Sequence, residues 1–324
     1  MKCLLLVIVA VAVCFSAYAE SDVRTGVWTA EVLADHLEMT IFQGRNAGDR
    51  RFGMNSISGF EESLASFAGL SKDDMNGSGA NVKFELQRPA GTIAFEGRVA
   101  NGTGAGHYRF TPNDAFLREM EGLGYRDFKD ELLLVFATSN FSPQTIRDLK
   151  AMGYEPTRRE VEEIAIFRIT PDFLREMGRV GYANLTLRDA VNFRVGRVDA
   201  AYVNQMRELG YANLPAHQLA DLAILGVTPA YVREMRAAGL ADLTPRQLND
   251  LRVGNVTSKR IEEYRKLGYD KLTARQLSEM GIFGVTPEYI RKLSEKGYNN
   301  VPVEKLLQLR QMGADKVLGL ADHR

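Results

Sequence analysis

Apolar and polar residues change their period once along this chain. Up to about residue 110 they alternate in twos: Leu37-Glu38-Met39-Thr40-Ile41, Val82-Lys83-Phe84-Glu85-Leu86, then Ile93-Ala94-Phe95 and Tyr108-Arg109-Phe110. Alternation predicts strands with one buried face, and Arg88-Pro89-Ala90-Gly91 and Asn101-Gly102 supply turns between them. The expected result is an antiparallel meander, a small sandwich or partly closed barrel with Trp28 in its core. Ser58 to Leu70 departs from the alternation and reads as a short inserted helix, with Ser58 and Glu61 spaced as a capping box.

Beyond residue 110 the pattern becomes helical and repeats. Gly-Tyr recurs at Gly124, Gly153, Gly181, Gly210, Gly268 and Gly297, and Gly239-Leu240 supplies the missing member, so successive glycines lie 28 or 29 residues apart. Each glycine is placed to end a helix, because it takes the left-handed C′ conformation at little cost. Four residues earlier stand Met120, Leu149, Met177, Met206, Met235, Tyr264 and Leu293. Seven earlier stand Leu117, Ile146, Leu174, Val203, Val232, Ile261 and Ile290. The two columns make one buried stripe per helix.

This first helix of the unit, helix A, opens at phrases such as Val227-Thr228-Pro229. Thr228 is the N-cap, Pro229 sits at N1, and Val227 can staple onto Val232. A second helix, helix B, opens at Leu243-Thr244-Pro245-Arg246-Gln247-Leu248, where Thr244 and Gln247 form a capping box. Helices this short are marginal alone, but stacked neighbours bury a continuous core. Seven helix hairpins of about 29 residues, an α-solenoid, are therefore expected. In the first unit, helix A reads two residues longer, and the apolar run Leu132–Phe136 reads as the joint with the β-rich part. The fold class is α+β, divided as 1–19 leader, 20–110 β-rich domain and 111–324 repeat domain.

The leader reading rests on Lys2, the apolar run Leu4 to Phe15, and Ala17-Tyr18-Ala19. A basic start, a short apolar core and a small-x-small site read as an export signal cut after Ala19. Both cysteines, Cys3 and Cys14, lie within it, so the remainder has neither disulfide nor thiolate chemistry. The chain is expected to be exported, periplasmic or secreted, with no membrane span after cleavage.

Composition narrows the chemistry. Of 324 residues, 41 are basic and 41 acidic, so no net field draws in nucleic acid. The four histidines lack metal spacing, and neither His-Glu-x-x-His nor Gly-x-Ser-x-Gly occurs. Gly102-Thr103-Gly104-Ala105-Gly106 suggests a phosphate loop, but strand-like flanks make it a hairpin turn. His107 and Trp28 are candidates to share a small cleft. No cofactor, metal or catalytic residue is expected. One charged column remains, six before each glycine: Arg118, Arg147, Arg175, Asn204, Arg233, Glu262 and Arg291. It reads either as a solvated row or as a partner-binding row of Arg147, Arg175, Arg233 and Arg291.

The phrases Gly226-Val227-Thr228-Pro229-Ala230-Tyr231-Val232-Arg233-Glu234-Met235 and Gly284-Val285-Thr286-Pro287-Glu288-Tyr289-Ile290-Arg291-Lys292-Leu293 carry a resemblance. They resemble repeats in the extracytoplasmic C-terminal regions of some bacterial membrane metallopeptidases of the β-lactam-sensor antirepressor type. Gly91-Thr92-Ile93-Ala94-Phe95-Glu96-Gly97 is similar to the β segment before such repeats. The peptidase motif and multi-span domain of that family are missing, so the resemblance implies a bacterial, exported, stand-alone interaction half. The expected function is non-catalytic binding of a protein partner in the cell envelope. The rival expectations are an envelope hydrolase with scattered carboxylates, and a ligand-binding β domain with the solenoid as spacer.

Overall fold

The computed structural model describes residues 25–43 and 55–313. The leader, its cleavage site and His323 lie outside the described residues. The chain forms two compact units that divide between Pro171 and Asp172.

The first unit opens with seven strands: β1 (Thr25–Leu33), β2 (His36–Gln43), β3 (Asn55–Ser63), β4 (Phe67–Ala68), β5 (Ala80–Arg88), β6 (Gly91–Ala100) and β7 (Thr103–Pro112). All pairings are antiparallel, in the order β3-β2-β1-β7-β6-β5-β4. The sheet curls until its margins approach, and Arg88 at the end of β5 meets Glu62 on β3 in a largely enclosed ion pair. Glu62 also accepts a 2.7 Å hydrogen bond from Ser66 Oγ. The expected partly closed barrel is therefore what forms, in a single sheet.

The expected helix over 58–70 does not exist. Residues 55–63 are strand β3, followed by a 3-10 turn over Leu64–Ser66 and then β4. Phe60 is buried and faces Met39 across the β2–β3 pairing. Pairing to an available strand outweighs a local capping pattern here, because it satisfies the backbone and buries Phe60 together.

Trp28 is 1% exposed and packs edge-on against Phe84 and Phe95. Its indole N–H donates to the His107 carbonyl at 3.1 Å. The glycine run explains its seat. Asn101 and Gly102 form the tight turn, both at positive φ, whereas Gly104 and Gly106 lie in β7. A Cβ on Gly97 or Gly104 would press into the indole at under 3 Å. The run is thus a hairpin turn plus an indentation for a large ring. The His107 side chain is exposed while Trp28 is enclosed, so the two share no cleft.

The helices are α1 (Lys72–Asn76), α2 (Asp114–Gly122), α3 (Asp130–Thr138), α4 (Pro143–Ala151), α5 (Arg158–Ile166), α6 (Pro171–Arg179), α7 (Leu187–Val195), α8 (Ala200–Glu208), α9 (Ala216–Ile224), α10 (Pro229–Ala237), α11 (Pro245–Val253), α12 (Ser258–Lys266), α13 (Ala274–Ile282), α14 (Pro287–Glu295) and α15 (Val303–Gln311). From α2 onward they alternate as helices A and B of seven hairpins. Every one spans nine residues, so the first helix A is not longer than the rest. α3 carries the apolar run and packs onto β3, β5, β6 and β7, which makes it the expected joint. Chain character changes from strand to helix at Pro112–Asp114, close to residue 110. The compact units divide later because α3 belongs with the sheet and holds its neighbours there.

Helix A ends as expected. The N–H after each glycine bonds the carbonyl four before it, as in Tyr182 to Met177 and Tyr211 to Met206, both 2.9 Å. Helix B ends the same way at Asn140, Arg168, Arg197, Gly226, Asn255 and Gly284, all at positive φ. This second set of caps escapes sequence reading because only some of its positions are glycine.

From Thr170 onward the hairpins have a longer period. Thr-Pro opens helix A at Thr170, Thr228 and Thr286, 58 residues apart. The guanidiniums of Arg194, Arg252 and Arg310, again 58 apart, stack on Phe173, Tyr231 and Tyr289 at 3.9, 4.8 and 4.8 Å. Gly196 meets Ala223 and Ile224, and Gly254 meets Ser278 and Gly281, so α7 approaches α9 closely and α11 approaches α13 closely. Hairpins thus come in pairs.

Candidate interaction surface

Each residue of the charged column is exposed, because it follows directly on the buried stripe position of helix A. The structure distinguishes them by their partners. In the first unit Arg147 reaches Glu119 at 2.6 Å and Gln144 at 3.3 Å. In the second unit Arg175 pairs with Asp172 of its own helix at 2.7 Å. Arg233 and Arg291 make no ion pair among the described residues.

A different basic column ties the hairpins together. Three before the glycine, Arg207, Arg236 and Arg265 each donate to a carbonyl at the end of the preceding helix A: Val180, Leu209 and Ala238, all at 2.5 Å. Lys150 does the same to Leu123 at 3.3 Å in the first unit. In helix B, Arg252 and Arg310 reach Leu225 and Phe283 at 3.3 and 3.1 Å. A cation at a helix C-terminus satisfies an orphan carbonyl and meets the negative end of the dipole. A basic residue stands three before four of the seven glycines, and that recurrence is the sequence signal for this role.

Tyrosines make a parallel set of ties. Tyr182, Tyr211 and Tyr269 of the Gly-Tyr pairs donate to the carbonyls of Leu214, Leu243 and Val301 in the following hairpin, at 3.0, 2.7 and 2.7 Å. Tyr202, Tyr231 and Tyr264 donate from helix A to Val227, Val256 and Val285. Burial pushes Tyr231 and Tyr264 up to about 12. Each of these two phenols donates its proton to a backbone carbonyl of the neighbouring hairpin.

The outward face of helix B carries three rows in the second unit. Arg188, His217, Arg246 and Arg275 stand at its start, then Asn192, Asp221, Asp250 and Glu279, then Val195, Ile224, Val253 and Ile282 at its last residue. Arg275 meets Glu279 at 2.8 Å and Arg246 meets Asp250 at 3.9 Å, whereas Arg188 has Asn192 at the equivalent place. An open groove lies between the segments 181–185 and 211–216, with Arg207 on its wall. Both ends of that guanidinium are occupied, by Val180 and by Asn204.

Among the described residues no group of three or more His, Cys, Asp or Glu side chains is placed to hold a metal ion. No described helix is long and apolar enough to cross a membrane. The molecule is an α+β protein of a curled antiparallel sheet followed by repeated helix hairpins. Comparison with family models, curated proteins and solved structures returned no match.

Proposed function

We propose that this chain is an exported, non-catalytic binding protein of the cell envelope that holds a protein partner on its helical repeats. One observation carries this reading: a charged column stays exposed on helix A in unit after unit, with Arg233 and Arg291 unspent by ion pairs among the described residues. Arg175 joins them once it exchanges Asp172 for a partner carboxylate, an exposed pair that contributes only about 0–1 kcal/mol. A planar guanidinium makes paired hydrogen bonds to carboxylates, so an acidic segment is the matching chemistry. Arg147, already held by Glu119, contributes less.

The test is site-specific photo-crosslinking in the producing cell from positions 204 and 262, exposed members of the same helix A column. A discrete protein adduct is expected at both positions, weakening as salt rises because exposed charges are screened within roughly 8–10 Å. Arg175, Arg233 and Arg291 changed together to Ser should abolish the adduct with almost no change in melting temperature. An adduct that survives the triple change, or robust substrate turnover by the purified chain, would overturn the reading.

A further inference from the structure

We infer that the partner of the Arg row is a second copy of this chain, which offers it a row of three carboxylates on the outer face of the sheet. The inference rests on the partner-binding reading and names the partner.

Its basis is a carboxylate row that the sheet leaves unanswered. The register sets Glu31 on β1 directly opposite Glu38 on β2, and Glu38 directly opposite Glu61 on β3. All three are exposed, and none forms an ion pair among the described residues. The next same-face rows hold Thr29, Thr40 and Gly59 on one side and Leu33, His36 and Ser63 on the other, so neither supplies a Lys or Arg. His36 is turned to Asp35, at 2.8 Å. Opposed side chains on neighbouring strands stand about 4.5–5.5 Å apart, and like charges placed so destabilise a sheet. Three adjacent strands nevertheless each put a glutamate in this row.

Charge complementarity names the occupant. A planar guanidinium seated between two opposed carboxylates bonds one along each edge and removes their repulsion at the same time. The chain carries that group unspent. Arg233 and Arg291 belong to the other compact unit, are exposed on helix A and form no ion pair among the described residues. A basic partner would answer the glutamates and leave the Arg row empty, and an acidic partner the reverse. A second copy answers both rows with one kind of contact. With 41 charges of each sign, the chain has no net charge to hold two copies apart. The two rows are different surfaces, so the contact is head-to-tail and assembly proceeds beyond a two-fold dimer, to a ring or an open chain.

The experiment is sedimentation velocity on the protein purified from the producing cell, over a concentration series at low and high salt. Self-association is expected at low salt and should fade at high salt, where exposed charges are screened. Glu31→Gln, Glu38→Gln and Glu61→Gln together should weaken it roughly tenfold or more. The melting temperature should not fall, since that change removes like-charge opposition. Glu38→Arg with Glu61→Arg, and separately Arg233→Glu with Arg291→Glu, should each give monomers, and mixing the two variants should restore association. A wild-type monomer at every concentration, association indifferent to the Gln changes, or swapped variants that stay monomeric when mixed would each overturn the inference. A monomeric wild type whose positions 204 and 262 still cross-link to a different protein would overturn the second-copy assignment alone and leave the partner-binding reading standing.

Discussion

Single residues at positive φ decide how these hairpins end. Gly268 has φ near 89°, and a Cβ there would meet nothing within 4 Å. Any cost of Gly268→Val is therefore conformational rather than steric contact with neighbours, about 1–3 kcal/mol for a β-branched residue held in that region. The helix B counterpart runs the other way. Arg197 holds φ near 55° without being glycine, and relief of left-handed strain exceeds the entropy glycine costs. Arg197→Gly should accordingly stabilise by about 0.5–1 kcal/mol. Chemical denaturation of the two variants checks both signs. A silent Gly268→Val together with a destabilising Arg197→Gly would mean these caps do not set stability.

At the scale of elements, hydroxyls and guanidiniums join one hairpin to the next, and this makes stability depend on pH. A phenol has an ordinary value near 10, and burial raises Tyr231 and Tyr264 to about 12. The folded state therefore holds these protons more tightly than the unfolded chain does. Their contribution is complete below about pH 10 and is lost as pH rises through about 12. Denaturant melts at about pH 8 and about pH 11 should show a falling midpoint, and Tyr231→Phe with Tyr264→Phe should flatten that fall. The same double change should cost roughly 1 kcal/mol per lost hydrogen bond at neutral pH. An equal alkaline loss in the double variant would assign the effect elsewhere.

For the whole molecule, the pairing of hairpins makes a prediction that a uniform array does not. Gly196 accommodates Ala223 of the next helix B, and Gly254 accommodates Gly281. Removing one 29-residue unit, Gly210 to Ala238, confronts Gly196 with Arg252, the residue that aligns with Ala223. Removing 58 residues, Gly210 to Leu267, confronts it with Gly281 instead. Both deletions join equivalent hairpin ends, and nearest-neighbour stacking keeps each helical. The shorter deletion should nevertheless melt lower than the longer one, because an Arg stem must be accommodated in a close helix contact, which costs typically 1–3 kcal/mol. Thermal melts followed by circular dichroism would decide it. Equal melting temperatures, or a better single-unit deletion, would show that the 58-residue period has no energetic content.

How much was legible in advance follows from the range of the forces involved. Helix A, its glycine cap, its buried columns and the strands around Trp28 depend on neighbours within about one turn or one pleat, so residue type and spacing determine them. The Asn101-Gly102 turn is legible for the same local reason. The strand at 55–63 carries a helix-like capping pattern, and its conformation is decided by β2 lying alongside, information the segment does not itself contain. The barrel closure by Arg88 and Glu62, 26 residues apart, and the cap-bearing Arg207, Arg236 and Arg265 are likewise contacts between distant segments. The candidate Arg row was visible as a column, but only the folded chain separates Arg233 and Arg291 from Arg147 and Arg175, whose carboxylate partners hold them. Local capping and periodicity were written in the sequence; which charged side chains are already spent, and which aliphatic ones remain in water, was decided by packing.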